Sequence, residues 1–555
     1  MLLATLAFFF SQAPAPAGTV GLGRHHFTLP AGLKITQVAG SPLVDRPVSA
    51  VFDARGRLYV TESSGSNEPA AIQAEKKPHR VLRLVDDNGD GIFDRRTVFA
   101  DNLMLPQGIC VVGDEVWVGA PPKIWRLIDA DDDGIAEKRI LWHDGGTLTG
   151  CMNDLHGPAV GPDGFIYWTK GAFAEQKHTL AGGETLVTKA SHLFCARPDG
   201  SGRQAVLNGG MDNPVGVAFS ALGDVFLTCT FVHRPGSGTG LRDGLLHAVE
   251  GGLWGKDHDP IHSPQHLWTS PDLMPVLVDL GPAAPCGLTR ARSHRLGLKD
   301  QLLSCQFNLR RVQAHTLRPS GSALEAASKD LLVSDHPDFH PTDVLEDADG
   351  SILVVDTGGW YKLCCPSSQM VKDQSLGAIY RISRAGGPAI DKAFEDPRGL
   401  KITNLASPDW LADARPVVRD RALDALVLSG AGKELAAYAR LAGNPVPARV
   451  YALWGLCRIG TKETLEQVAG LLNDPEEAIR LVAARILARQ RSGAGRGILN
   501  RLVETDPSPT VRRAAVEALV ALDPGPALGT LLELCRQPGQ PKDRAWQHAL
   551  TRALH

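Results

Sequence analysis

Along the first 385 residues, short runs of alternating apolar and aromatic positions recur, each introduced by a turn that carries Gly, Asp or both. They read Asp53-Ala-Arg-Gly-Arg-Leu-Tyr-Val, Gly113-Asp-Glu-Val-Trp-Val, Pro162-Asp-Gly-Phe-Ile-Tyr-Trp, Leu222-Gly-Asp-Val-Phe-Leu, Lys299-Asp-Gln-Leu-Leu-Ser and Asp349-Gly-Ser-Ile-Leu-Val. A period of two that starts from a tight turn predicts a β-strand. A second strand follows most copies: Arg80-Val-Leu-Arg-Leu, Lys123-Ile-Trp-Arg-Leu, His192-Leu-Phe-Cys-Ala, Arg311-Val-Gln-Ala-His and Ala378-Ile-Tyr-Arg-Ile. One such unit cannot bury both of its faces. A closed ring of them can, and it leaves few sheet edges open. The six copies predict an all-β six-bladed propeller over residues 19–385.

From about residue 405 the pattern changes to the helical period, rich in Ala, Leu and Arg. Pro416-Val-Val-Arg-Asp-Arg-Ala-Leu, Pro447-Ala-Arg-Val-Tyr-Ala-Leu, Asp474-Pro-Glu-Glu-Ala-Ile-Arg-Leu and Asp506-Pro-Ser-Pro-Thr-Val-Arg-Arg form a series. Arg419, Arg449, Arg480 and Arg512 recur in it at intervals of 30, 31 and 32 residues. This predicts an all-α solenoid of HEAT-type helix pairs over 405–555, joined to the propeller by a linker at 386–404. The Asp-Pro pairs predict an N-cap followed by Pro in the first turn. The recurrent Arg is expected to tie one repeat to the next, and the solenoid to serve as a docking scaffold for a protein partner.

Charge changes little in this picture. With 58 basic and 61 acidic residues the chain lacks the basic excess of a nucleic-acid binder. Residues from 401 onward hold 21 basic and 16 acidic side chains against 37 and 45 before them, which agrees with a boundary near 400. Leu2 to Phe10 is apolar but too short to span a bilayer, and Ala13-x-Ala15 or Ala15-x-Ala17 follows as a small-residue cleavage site. Residues 1–18 are therefore expected to be a signal peptide, with the mature chain exported to the periplasm or cell surface and free of transmembrane helices. Ten cysteines include no C-x-x-C and no C-x-x-C-H, so no zinc ribbon and no covalent haem are expected. Cys364-Cys365 is a vicinal pair, expected as packed residues or as a strained ring disulfide.

Three places carry candidate chemistry. Asp86, Asn88, Asp90 and Asp94 present oxygen ligands on alternate positions around Gly91, and Asp129, Asp131, Asp133 and Glu137 repeat the pattern around Gly134. Such loops suit a hard cation such as Ca²⁺, although neither has the Glu at position twelve of a full EF-hand; a plain polar turn is the alternative. His156 stands just before the strand at 165–169, where a blade strand would set it at the mouth of the ring. With Asp154 two residues away it is a candidate general base, or else a loop His bonded to a carbonyl. The groups Asp257-His258-Asp259 with His262 and His266, and Asp335-His336 with Asp338 and His340, have metal-like spacing broken by prolines. No P-loop, nucleophile elbow or dinucleotide fingerprint is present.

The six-blade pattern and the segment around His156 resemble the soluble quinoprotein glucose and aldose sugar dehydrogenases. The resemblance implies that His156 accepts the substrate hydroxyl proton. It also implies that Asn213, Pro214 and Gly216, in Asn213-Pro-Val-Gly216, bind PQQ and its Ca²⁺. Where that family has an arginine this chain has Asp212. Its acidic residue after the 165–169 strand is Lys170, and its later arginines are missing around Phe339-His-Pro-Thr-Asp343. The chain resembles more closely a group of exported planctomycete-type proteins named as membrane-bound dehydrogenases, which join such a propeller to HEAT repeats. Asp356-Thr-Gly-Gly-Trp-Tyr-Lys-Leu-Cys-Cys-Pro, Leu376-Gly-Ala-Ile-Tyr-Arg-Ile and the paired Asp-rich loops carry that likeness. Many members end in a haem domain, absent here, so electrons would leave through a separate cytochrome or other acceptor. The expected function is oxidation of a sugar or alcohol at the propeller mouth. The alternative is a non-catalytic propeller–HEAT binding protein for a glycan or protein. A hydrolase or lyase on the same pocket is also open.

Overall fold

The computed structural model describes residues 18–151, 153–231, 242–359, 375–386, 395–522, 525–536 and 543–555. Residues 1–17 of the expected signal peptide and the Cys364-Cys365 pair lie outside the described residues, as does the whole segment from Trp360 to Pro366.

Six sheets form a ring, antiparallel except where Gln204–Gly210 pairs parallel with Leu253–Gly255. Their inner strands are Pro47–Phe52, Gly108–Val112, His156–Val160, Asn213–Phe219, Pro285–Arg290 and Pro341–Glu346, and each packs on the next until the last meets the first. Each inner strand turns into a second strand: Leu58–Glu62, Glu115–Ala120, Ile166–Lys170, Val225–Thr230, Leu302–Gln306 and Ile352–Asp356. These six are the strands whose alternation the sequence displays, and they are almost wholly buried. The architecture is thus the six-bladed propeller. Closure uses the start of the chain. Leu33–Gly40 pairs antiparallel with Ala378–Arg384 as the outermost strand of the sixth blade. The hairpin Gly18–Leu22 and His25–Leu29 extends the fifth by pairing with Ala323–Ser334.

The C-terminal part is the HEAT solenoid. Its helices run Pro416–Leu428, Gly432–Arg440, Val446–Ile459, Lys462–Gly470, Glu477–Arg489, Arg496–Thr505, Pro509–Leu522, Leu528–Arg536 and Arg544–Leu554. They bury one continuous apolar core. The recurrent arginines tie repeats together. Arg449 gives Nε–H to Ala439 O at 2.7 Å and pairs with Asp474, while Arg480 pairs with Asp506 at 2.7 Å. Arg512 reaches Val503 O at 3.0 Å. The Asp-Pro pairs do not cap as expected. The helix after Asp474 starts at Glu477, and Asp474 is drawn instead to Glu476 N and to Arg449. An Asp that serves a neighbouring repeat's arginine cannot also sit over its own helix's N-terminus.

The solenoid packs on the end of the ring where inner strands turn into second strands. Trp454 Nε1 donates to Ala221 O at 3.0 Å and Arg458 Nε to Pro162 O at 3.0 Å. Arg485 pairs with Asp224, Arg292 with Asp420 at 2.7 Å, and Arg398 with Asp347. The glycines of the repeated turns make this approach feasible. A Cβ on Gly223 would lie 2.8 Å from the Trp454 ring and one on Gly164 2.9 Å from Arg458, and both have positive φ, which glycine adopts at little cost. The partner that the HEAT repeats hold here is the chain's own propeller. Among the described residues no helix is long and apolar enough to cross a membrane.

Candidate functional site

The opposite end of the ring, where inner strands begin and second strands end, is the mouth. Register explains which side chains reach it. The first residue of an inner strand faces the last residue of the second: Pro47 with Glu62, Asn213 with Thr230, Pro341 with Asp356, while His156 faces Thr169, next to Lys170. A polar residue thus ends an otherwise apolar strand in most blades.

His156 and Asn213 open adjacent inner strands and meet there. His156 Nε2 lies 2.7 Å from Asn213 Oδ1. With the amide oxygen as acceptor, the ring proton sits on Nε2 and the lone pair on Nδ1. Nδ1 is buried and has no protein partner. Burial pushes His156 down to about 4, against the pull of Asn213, so the ring is neutral at pH 7.

Asp154 does not bond to His156. Its Oδ2 accepts from Thr149 N at 2.8 Å and Thr149 Oγ1 at 2.9 Å, and burial raises its carboxyl. Pro214 O accepts from Thr169 Oγ1 at 2.6 Å, and Gly216 N donates to Thr228 Oγ1 at 2.9 Å. A Cβ at Gly216 would lie 2.5 Å from Cys286 O, so Gly216 lets the next inner strand close in. Pro214 and Gly216 therefore serve inter-blade packing through their backbone.

The mouth also holds charge that sequence reasoning had not placed. Lys170 is fully buried, its Nζ donating to Gly171 O and Ala190 O at 2.9 Å each, and burial lowers it to about 7. Asp212 holds Lys256 Nζ at 2.7 Å, and burial still pushes the Asp212 carboxyl up to about 6. Glu62 accepts from Asp45 N and pairs with Arg80, each at 2.6 Å. Asp356 accepts from His340 N at 2.8 Å and Gly358 N at 2.9 Å, and burial raises it to about 6. The available signal was the polar residue ending most of these apolar strands, as in Leu58-Tyr-Val-Thr-Glu62 and Ile166-Tyr-Trp-Thr-Lys170.

The two acidic loops lie on the outer side of the first and second blades. Ligand oxygens of Asp129, Asp131, Asp133 and Glu137 gather within 4.8 Å of one another. Asp131 is raised by its contact with Glu137, while the backbone N–H of Ala130 lowers Glu137. Asp86, Asp90 and Asp94 form no such group among the described residues. There Asp86 accepts from Gly89 N and Gly91 N, and Asn88 donates to Asp94 at 3.3 Å. The histidine groups near 258 and 336 likewise gather no metal-ligand set. Cys151 is disulfide-bonded.

Comparison with known proteins agrees with this division of the chain. HEAT-repeat models match residues 434–519 and 468–551. No curated protein matches the chain. Among solved structures, the PQQ domain of pyranose dehydrogenase from Coprinopsis cinerea is 14% identical, with a TM-score of 0.42, covering 67% of this chain and 99% of that one. The PQQ-bound aldose sugar dehydrogenase from Streptomyces coelicolor is 14% identical, with a TM-score of 0.41, covering 64% and 100%. The model of a domain of unknown function, DUF7133, matches residues 22–385, which span the whole ring of blades, and the chain belongs to that family.

Proposed function

We propose that the propeller mouth binds a neutral, hydroxyl-rich ligand, a sugar or glycan, and that the chain works as a binding module with its solenoid as a rigid backing. The observation that carries this is His156 Nδ1: a buried, neutral acceptor with no protein partner, fixed by Asn213 at the start of two adjacent inner strands. A hydroxyl group would satisfy it, and buried acceptors rarely stay unsatisfied.

The residues do not fit PQQ. That quinone carries three carboxylates, which call for cationic partners. Here Asp212 stands at the arginine position, Lys256 is engaged by Asp212, and Lys170 is engaged by two carbonyls. The same His156–Asn213 pair favours one second reading, oxidation of the bound sugar or alcohol with electrons passed to a separate acceptor. Asp129, Asp131, Asp133 and Glu137 would hold a structural Ca²⁺. The disulfide at Cys151 supports an oxidising compartment such as the periplasm, and with it export of the chain.

The test is calorimetry of the full chain with a panel of neutral mono- and oligosaccharides, then with PQQ plus Ca²⁺. The expected result is saturable sugar binding that is lost in His156→Ala, and no PQQ binding at high micromolar concentration. Saturable PQQ binding, with dye-linked sugar oxidation lost in His156→Ala, would replace this reading with the dehydrogenase one.

A further inference from the structure

We infer that the cavity between the turn end of the propeller and the solenoid binds a small carboxylate with an apolar body, held by Arg290. The cavity measures about 740 Å³, within the roughly 300–1,000 Å³ usual for small-molecule sites. Val217 and Leu288 from inner strands and Leu423, Val427 and Trp454 from helices give it apolar walls.

Most of its charged lining is closely paired. Arg292 bonds to Asp420 at 2.7 Å and Tyr451 Oη at 3.0 Å, Arg458 to Asp424 at 2.9 Å, and Asp163 faces Arg489 at 3.4 Å. Arg197 donates to Gln490 Oε1 at 2.5 Å and lies over the Phe165 ring. Arg290, the last residue of the inner strand Pro285–Arg290, has only a long ion pair, to Asp300. Its Nε and Nη1 are buried without an acceptor, and Asp300 Oδ1 stops 3.9 Å from Nε.

A guanidinium cannot shed its proton to escape burial, and a weakly compensated buried charge is costly. An anion in the cavity would complete it. Because the other charged groups of the wall are already paired and the surface between them is apolar, the anion that fits is one carboxylate on a hydrocarbon or aromatic body rather than a sugar phosphate. This site lies at the opposite end of the ring from His156 and does not depend on the reading of the mouth.

The experiment uses the full chain, with decanoate below its micelle concentration, decanol (same body, no charge) and acetate (same charge, no body) as probes in calorimetry and thermal melts. Decanoate is expected to bind at least about 10-fold more tightly than either control, the worth of one charge-assisted bond. Arg290→Met should melt higher than the wild type without ligand and bind decanoate no better than decanol. Val427→Trp, which fills the cavity from the helix side and leaves the charge alone, should abolish decanoate binding. The inference is overturned if decanoate binds no tighter than decanol. It is equally overturned if the preference survives in Arg290→Met, or if Val427→Trp binds as well as the wild type.

Discussion

The contact between Asp224 and Arg485 gives a sharp test of how the two halves are held together. Asp224 lies in the turn of the fourth blade, and Arg485 comes from the helix Glu477–Arg489. Asp224 Oδ1 accepts from Arg485 Nη2 and from His247 Nε2 at 3.2 Å, and Oδ2 accepts from Ser220 Oγ at 2.7 Å. Arg485 also gives Nη1–H to Leu222 O at 2.8 Å. Both side chains are only about a tenth exposed. Burial alone would raise the Asp224 carboxyl, but the Arg485 charge and His247 outweigh it and hold Asp224 well below the usual range. Arg485→Ala leaves a buried carboxylate with a hydroxyl and a neutral imidazole. Removing one partner from such a pair costs about 3–5 kcal/mol. The sign with pH follows from the depressed folded value. Asp224 contributes stability above its unfolded pKa of about 3.9, and that contribution is lost as pH falls through the lower folded value. The cost of Arg485→Ala should therefore be full at pH 7 and shrink below pH 4. Urea denaturation followed by tryptophan fluorescence, with Trp454 at the interface as reporter, measures it for Arg485→Ala, Asp224→Asn and the double variant. A loss under about 1 kcal/mol at pH 7, or strict additivity in the double variant, would refute the reasoning.

Further outcomes follow from other sites. Lys170 loses its proton near pH 7 when folded and near pH 10.4 when unfolded, so the unfolded chain binds more protons in between. Stability should rise with pH across that window by about 5 kcal/mol, and Lys170→Met should flatten the rise in pH-dependent denaturation. His156, pushed to about 4, should itself add no pH dependence to ligand affinity between pH 6 and 8, and its protonation should weaken binding in calorimetry only as pH approaches 4. Ca²⁺ at about 100 times its dissociation constant should stabilise the chain by about 2.7 kcal/mol. In thermal melts with Ca²⁺ against EDTA, Asp131→Asn should lose that gain and Asp90→Asn should keep it.

The second strand of each blade was legible because a turn marks its start and both of its faces are buried. The outer strands were not. Lys138–Asp144 exposes Ile140 and Leu141 and shows no clean alternation. The pairing of Leu33–Gly40 with Ala378–Arg384 joins segments more than 300 residues apart, and nothing local announces such a partner. The His156–Asn213 contact could be anticipated in its residues but not in its bond, because their nearness depends on two inner strands standing side by side. The Gly/Asp turns were readable as turns. That they are the bed for the solenoid was not, since Asp163 and Asp224 look like ordinary solvent-facing turn residues until Arg489 and Arg485 arrive from elsewhere. Asp474 misled for the same reason: its partner, Arg449, lies 25 residues away.

The way the ring closes sets the order of assembly. Residues 25–29 and 33–40 take their places beside 333–334 and 378–384, so blade five stays incomplete until residue 334 has been made and blade six until the last propeller strand has. Loop-closure entropy makes such distant pairing slow to form. Until then the early strands present open edges, and the nascent chain is held back from a finished core for most of its synthesis. The solenoid, whose contacts are between neighbouring repeats, can form quickly but has its seat only after the ring has shut.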